Sequence, residues 1–210
     1  VLDRRGHGIA GTLGDLVAAG DPVLAVCADT GPRVRVLAGR LGGFALCAYA
    51  ALERDPSLSA RFPHVFALDP PGHDHQAKLL AAGRPGGFAH LGWGEPELGF
   101  ALDNHEHEYG LRATLAALYR ALRDHGTAAG ADLERLLRGD PGRPRSAAMA
   151  GRALRVLVEL GLVVLDETTS AVTVAPARRT DLERSPAFRA YRRRGEDGRR
   201  YLRNATARAA

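Results

Sequence analysis

Lysine is almost missing from this chain: of 29 basic residues, only Lys78 is a lysine. That scarcity excludes the phosphate loop Gly-x-x-x-x-Gly-Lys-Ser/Thr, in which backbone N–H groups and the lysine together hold a nucleotide's phosphates. The nearest glycine-bearing turns, Gly8-Ile9-Ala10-Gly11-Thr12 and Thr30-Gly31-Pro32-Arg33, have no lysine. An active nucleotide-hydrolysing motor is therefore disfavoured. Cysteine is scarce too. Cys27 and Cys47 lie 20 residues apart in apolar runs, a spacing that matches no zinc pattern. They are expected to be buried free thiols, as in a reducing, cytoplasmic setting. No run of about 18 apolar residues is present, so no membrane span is expected. Gly-x-Ser-x-Gly does not occur, and no serine sits in a nucleophile context.

What remains is a 210-residue chain with an apolar fraction of 45% and a charged fraction of 25%, ordinary values for a globular protein able to bury a core. Its charge is unevenly placed. Residues 1–125 carry 12 basic and 14 acidic side chains, a net of −2, whereas residues 126–210 carry 17 and 10, a net of +7. A local positive excess suits an anionic partner such as nucleic acid. The opening Val1-Leu2-Asp3-Arg4-Arg5-Gly6 reads like the middle of a strand, and the chain is expected to be cut from a longer parent.

The first part alternates continuous apolar runs with helical stretches. Val23–Cys27, Phe44–Ala48, His64–Leu68 and Phe88–Leu91 read as strands. Leu13–Ala19, Pro32–Leu41 and His73–Ala82 read as helices. This pattern predicts an α/β fold, a parallel sheet with helices on both faces. A single long helix is expected over Glu95–His125, where Leu111, Leu115, Leu118 and Leu122 form an apolar stripe. Residues 1–125 are assigned to this α/β domain and 126–210 to a second, basic part. There, Ala131–Arg138 and Ala147–Leu160 read as helices, the latter capped by Ser146 and stopped by Gly161. Leu162–Asp166 and Ala171–Ala175 read as a hairpin. Two helices followed by a hairpin is the pattern of a winged helix. The stretch Thr180–Asn204 is helical and arginine-rich.

Chemistry-bearing candidates are few. His73 and His75, and His105 and His107, fall in predicted helices, where residues two apart point about 200° away from each other and cannot chelate one ion from one face. Asp103 and His107 have the useful spacing, but two ligands do not make a site, so no metal site and no catalytic residue are assigned. Asp29, Asp69, Trp93 and Glu95 follow the apolar runs, at the strand ends where open parallel sheets place their ligand crevice; they are the candidates for a partner pocket. After Asp69, Pro70 and Pro71 stand where a nucleotide-hydrolysing site would carry its second acid. In the basic part, Arg145, Arg152, Arg155, Arg189, Arg192, Arg193, Arg194, Arg199 and Arg200 are the DNA-binding candidates, with Phe188, Tyr191 and Tyr201 interleaved. Two readings stay open: arginines on phosphates with aromatics stacked on unpaired bases, or solvated arginines with aromatics in the core. Arg155 and Glu159, four apart, are also placed to pair with each other.

Four stretches resemble, in order, the C-terminal domain of the single-stranded-DNA-specific exonuclease RecJ. They are Phe62-Pro63-His64-Val65-Phe66-Ala67-Leu68-Asp69-Pro70-Pro71; Tyr109-Gly110-Leu111-Arg112 with Leu118-Tyr119-Arg120-Ala121-Leu122-Arg123; Leu154-Arg155-Val156-Leu157-Val158-Glu159-Leu160-Gly161-Leu162-Val163; and Thr180-Asp181-Leu182-Glu183-Arg184-Ser185-Pro186-Ala187-Phe188. The resemblance implies a parent that degrades single-stranded DNA from its 5′ end with two metal ions, Mg²⁺ or Mn²⁺, in recombination and repair. Those ions sit in Asp-His-His motifs of an N-terminal catalytic core, and this sequence has none. The C-terminal domain is then a degenerate RecA- or helicase-like sheet that has lost its nucleotide site. It contacts single-stranded-DNA-binding protein, single-stranded DNA and its own catalytic core. A stand-alone winged-helix DNA-binding protein with an α/β regulatory domain is the alternative.

Overall fold

The computed structural model describes residues 1–37, 42–176 and 180–207. The chain divides into two compact units, Val1–His105 with the segment from Asp197 on, and Glu106–Glu196.

In the first unit the order is β1 (Leu2–Asp3), α1 (Ile9–Ala18), β2 (Val23–Cys27), α2 (Thr30–Leu37), β3 (Ala45–Ala48), α3 (Tyr49–Arg54), α4 (Ser57–Ala60), β4 (His64–Ala67), α5 (Asp74–Ala81), β5 (Phe88–Leu91) and α6 (Glu95–Tyr109), which runs on past the boundary. The five strands pair in parallel in the order β1-β5-β4-β2-β3. The strands are short, and in β2 and β4 alternate residues enter two cores. Val23, Ala25 and Cys27 pack with Leu13, Phe66 and Leu68 on one face. Leu24 and Val26 pack with Tyr49, Leu52, Leu79, Leu80 and Trp93 on the other. The expected parallel sheet with helices on both faces is thus present; its central strands β2 and β4 are buried on both sides, whereas the edge strand β1 is exposed. Strands β3-β2-β4-β5 follow the doubly wound order 2-1-3-4, with β1 in the fifth place. The order reverses between β2 and β4.

Gly92, just beyond β5, is required by contact: a Cβ there would lie 2.1 Å from Cζ and 2.4 Å from Cε1 of the Phe66 ring, a fully buried side chain. Gly92→Ala is expected to destabilise by about 1–3 kcal/mol through overpacking, read as a lower urea midpoint at unchanged slope.

The second unit continues with α7 (Leu111–His125), β6 (Thr127–Ala128), α8 (Gly130–Arg138), α9 (Ala147–Glu159), β7 (Val163–Asp166), β8 (Ala171–Val174) and, after a 3₁₀ turn at Leu182–Arg184, the start of α10 (Pro186–Ala207), whose residues from Asp197 on belong to the first unit. Its antiparallel sheet has the order β6-β8-β7. The leucine stripe of α7 belongs to this unit: Leu111, Leu115, Leu118 and Leu122 pack with Val156, Leu157, Val163, Val172 and Phe188.

Three expectations shift. The boundary placed after residue 125 falls after His105, because the α7 stripe faces the second core. The single helix over Glu95–His125 is two helices broken at Gly110, where ψ is 54° and an added Cβ would crowd the Glu106 carbonyl at 2.7 Å. The helix expected from Thr180 begins at Pro186, since Ser185 caps it and proline suits a first helical position. The end of the predicted helix Pro32–Leu41 lies outside the described residues. Among the described residues no helix is long and apolar enough to cross a membrane.

Candidate functional site

The strand order of the first unit reverses between β2 and β4, the place where doubly wound sheets receive ligands. The groups there are already engaged with each other. Asp69, fully buried after β4, accepts a hydrogen bond from the Ala28 backbone N–H at 2.8 Å. It also forms an ion pair with Arg33 of α2. The Arg33 guanidinium lies 4.3 Å from the centre of the Phe100 ring. Tyr49 donates its hydroxyl to the Asp69 carbonyl at 2.7 Å. Burial pushes the Asp69 carboxyl upward, against the pull of Arg33 and the Ala28 N–H. Burial likewise raises the Cys27 thiol, raises Cys47 to about 11 and holds the Tyr49 phenol well above its ordinary range. The cysteines are free thiols, and burial keeps them protonated at neutral pH, so neither is a ready nucleophile.

The other pocket candidates divide. Asp29 accepts from the Gly31 N–H at 2.9 Å, an N-terminal cap on α2. Trp93 is a core residue of the α3/α5 face, with the Arg5 guanidinium 5.7 Å from its ring centre. Glu95 is exposed; it is Glu97 that accepts the Gly94 N–H, at 2.8 Å. Sequence reasoning missed Arg33. Its signal was an arginine in the first turn of the helix after the neighbouring strand, opposite the strand-end Asp69.

His73 lies just before α5 in extended backbone, not within the helix, and pairs with Glu53 at 2.8 Å. Among the described residues no three His, Cys, Asp or Glu side chains are grouped to hold a metal ion.

The arginines sort into two kinds. Arg145 donates to the carbonyls of Leu137 and Leu136 at 2.7 and 2.6 Å, satisfying the open C-terminal end of α8. Arg152 bonds the Glu108 carboxylate at 2.5 Å and its carbonyl at 2.9 Å, and lies over Tyr109. Both guanidiniums have internal work. Arg155 is exposed and pairs with Glu159 at 3.1 Å. The remaining six named candidates lie on α10 and are exposed, as is Arg203.

At about 100° per residue, Arg189, Arg192, Arg193, Arg199, Arg200 and Arg203 share an arc of about 120° on α10, and Arg194 stands outside it. The opposite side carries Ala187, Gly195, Gly198 and Leu202, all buried. From Arg189 to Arg203 the stripe is about 21 Å long. Glu196 interrupts it and lies 3.7 Å from Arg192, Glu183 also pairs with Arg192, and Asp197 pairs with Arg200 at 2.5 Å. Such exposed pairs are worth little and exchange readily for a phosphate. The interleaved aromatics resolve toward packing: Phe188 is buried and Tyr191 lies against the same core, so neither offers a free stacking face.

Glu159 positions the start of α10. Its second carboxylate oxygen accepts from the Ser185 hydroxyl at 2.6 Å and the Ala187 N–H at 3.0 Å, and Ser185 in turn accepts from the Phe188 N–H at 3.0 Å. These donors, with Arg155, hold the Glu159 carboxyl below its ordinary 4.5. A lowered folded-state pKa stabilises fully above the unfolded value, and the contribution is lost as pH falls through the folded value. Glu159→Gln is expected to flatten the acid limb of the stability profile below about pH 4.5, read by thermal melts across pH. An unchanged limb would contradict this role.

Comparisons with protein-family models, with curated proteins and with solved structures give no match.

Proposed function

We propose that this chain is the non-catalytic C-terminal interaction part of a RecJ-like 5′–3′ single-stranded-DNA exonuclease, engaging DNA through α10 and a partner protein through its basic surface. The observation that carries this reading is the arginine stripe of α10, six exposed guanidiniums on one face of a 22-residue helix. A planar guanidinium donates two parallel hydrogen bonds to a phosphate. The stripe is therefore suited to track a nucleic-acid backbone without reading bases. The same charge suits the acidic tail of a single-stranded-DNA-binding protein.

The first unit fits a degenerate RecA- or helicase-like sheet. Its switch point keeps a strand-end acid, yet Asp69 is fully buried and paired with Arg33. The Mg²⁺ or Mn²⁺ of the parent family has no Asp-His-His set in this chain, and no catalytic step is assigned to it.

A second reading has one observation in its favour. The order helix, strand, helix, helix, hairpin in Glu106–Glu196 is that of a winged helix, with α9 in the place of a recognition helix. Its exposed face offers Ala148, Gly151, Arg155 and Val158, a poor set for base edges. Sequence-specific duplex binding is thus the weaker alternative.

The test is a titration with the acidic C-terminal peptide of a single-stranded-DNA-binding protein, run beside incubation of labelled single-stranded DNA with Mg²⁺ or Mn²⁺. Peptide binding with intact DNA is the expected result. Metal-dependent digestion by the pure chain would overturn the non-catalytic assignment, and preference for one duplex sequence would favour the second reading.

A further inference from the structure

The arginine stripe of α10 is not uniformly open. The 3₁₀ turn Leu182–Arg184 stands before its first half and is fixed there. The Asp181 carboxylate accepts the Glu183 N–H at 3.0 Å, and the Asp181 carbonyl accepts the Arg184 N–H at 3.1 Å. The Ser185 N–H donates to the Leu182 carbonyl at 3.0 Å, and the Ser185 hydroxyl donates to Glu159 at 2.6 Å. Glu183 is therefore carried on backbone braced on both sides.

From that turn Glu183 engages two arginines of the stripe. Arg189 donates to its carbonyl and Arg192 to its carboxylate. Arg189 and Arg192 are three residues apart, neighbours on one face of the helix. Glu196 brings a second carboxylate to 3.7 Å from Arg192. The Glu183 side chain is 36% exposed and that of Arg192 51%, so the pair is open to exchange with a solute. A carboxylate offers a guanidinium two acceptor oxygens, as a phosphodiester does with its two non-bridging oxygens. The N-terminus of α10 provides no separate anion site, because the Ala187 and Phe188 N–H groups already donate to Glu159 and Ser185.

We propose that Arg189 and Arg192 form a phosphate subsite of the α10 stripe, and that Glu183 occupies it in the free chain as an internal competitor of the nucleic-acid backbone. The inference rests on the DNA-binding reading of α10 and specifies how that surface is regulated. Binding there exchanges one ion pair for another. A backbone phosphate takes the Arg192 guanidinium and the Glu183 carboxylate returns to water. The braced turn keeps that carboxylate nearby, where it repels the phosphate.

Anisotropy titrations of labelled single-stranded DNA with the whole chain, from about 50 mM salt upward, test this. Glu183→Gln is expected to tighten binding by about threefold or more, the scale on which an exposed ion pair competes. It should also steepen the salt slope by about 0.7 for each phosphate that the unmasked arginines take up. The gain must run through Arg192: in an Arg192→Gln background, Glu183→Gln is expected to change affinity by less than about twofold. Equal affinity of Glu183→Gln and the unchanged chain, or the same gain in the Arg192→Gln background, would overturn the masking while leaving the stripe's binding of DNA in place. Failure of both proteins to bind at the lowest salt would instead remove the DNA-binding reading, and the masking with it.

Discussion

Asp69→Ala is expected to lower the stability of the first unit by about 3 kcal/mol, toward the lower end of the cost of breaking a buried ion pair. Arg33 would keep its charge in a site where its side chain is 15% exposed, and the Ala28 N–H would lose its acceptor. The loss should appear as a lower midpoint in urea at unchanged slope. The companion variant separates the pair from the packing. Arg33→Met removes the stranded cation while keeping the contact with Phe100, so the double variant is expected to recover much of the loss. A double variant as unstable as the sum of the two single changes would show that Asp69 acts independently of Arg33. If Asp69 instead served a bound nucleotide, Asp69→Ala would leave stability nearly unchanged and alter ligand binding alone.

The second large effect concerns α10. Replacing Arg193, Arg199, Arg200 and Arg203 together by glutamine is expected to weaken binding to single-stranded DNA by more than about a hundredfold at low salt. It should also reduce the salt slope by about three, since each phosphate contact on a single strand contributes about 0.7. Glutamine keeps helix propensity close to that of arginine, and all four side chains are exposed, so the helix should persist by circular dichroism. Fluorescence anisotropy of a labelled oligonucleotide at several salt concentrations reads both numbers. The same change at Arg145 and Arg152 is expected to act on stability instead, because those guanidiniums satisfy the Leu136, Leu137 and Glu108 carbonyls.

The parallel sheet was legible because its central strands are buried on both faces and therefore read as unbroken apolar runs; Val23–Cys27 matches its strand residue for residue. Ser146 was legible as a cap because capping is local chemistry, and the Met149 N–H does donate to its hydroxyl at 3.0 Å. The break at Gly110 was hidden. The leucine stripe begins at Leu111, but no proline or turn cluster marks the residue before it. Strand β6 has only two residues, Thr127 and Ala128, too few for any periodicity. Among the candidate site residues, spacing identified Asp69 as a strand-end acid but not its partner, because the pairing with Arg33 joins a strand-end loop to the helix α2, 36 residues apart. The arginine crowd was plain in composition. Its division into stripe and internal braces was not, since an arginine that caps a helix end looks the same in a sequence as one that meets a phosphate.

The account turns on whether the α10 stripe binds a nucleic-acid backbone. The most direct measurement is titration of labelled single-stranded DNA with the pure chain, in Mg²⁺, from about 50 to 200 mM salt. The account predicts binding that weakens steeply with salt, is indifferent to base sequence and leaves the DNA intact. Absence of binding at the lowest salt, or affinity independent of salt, would contradict it.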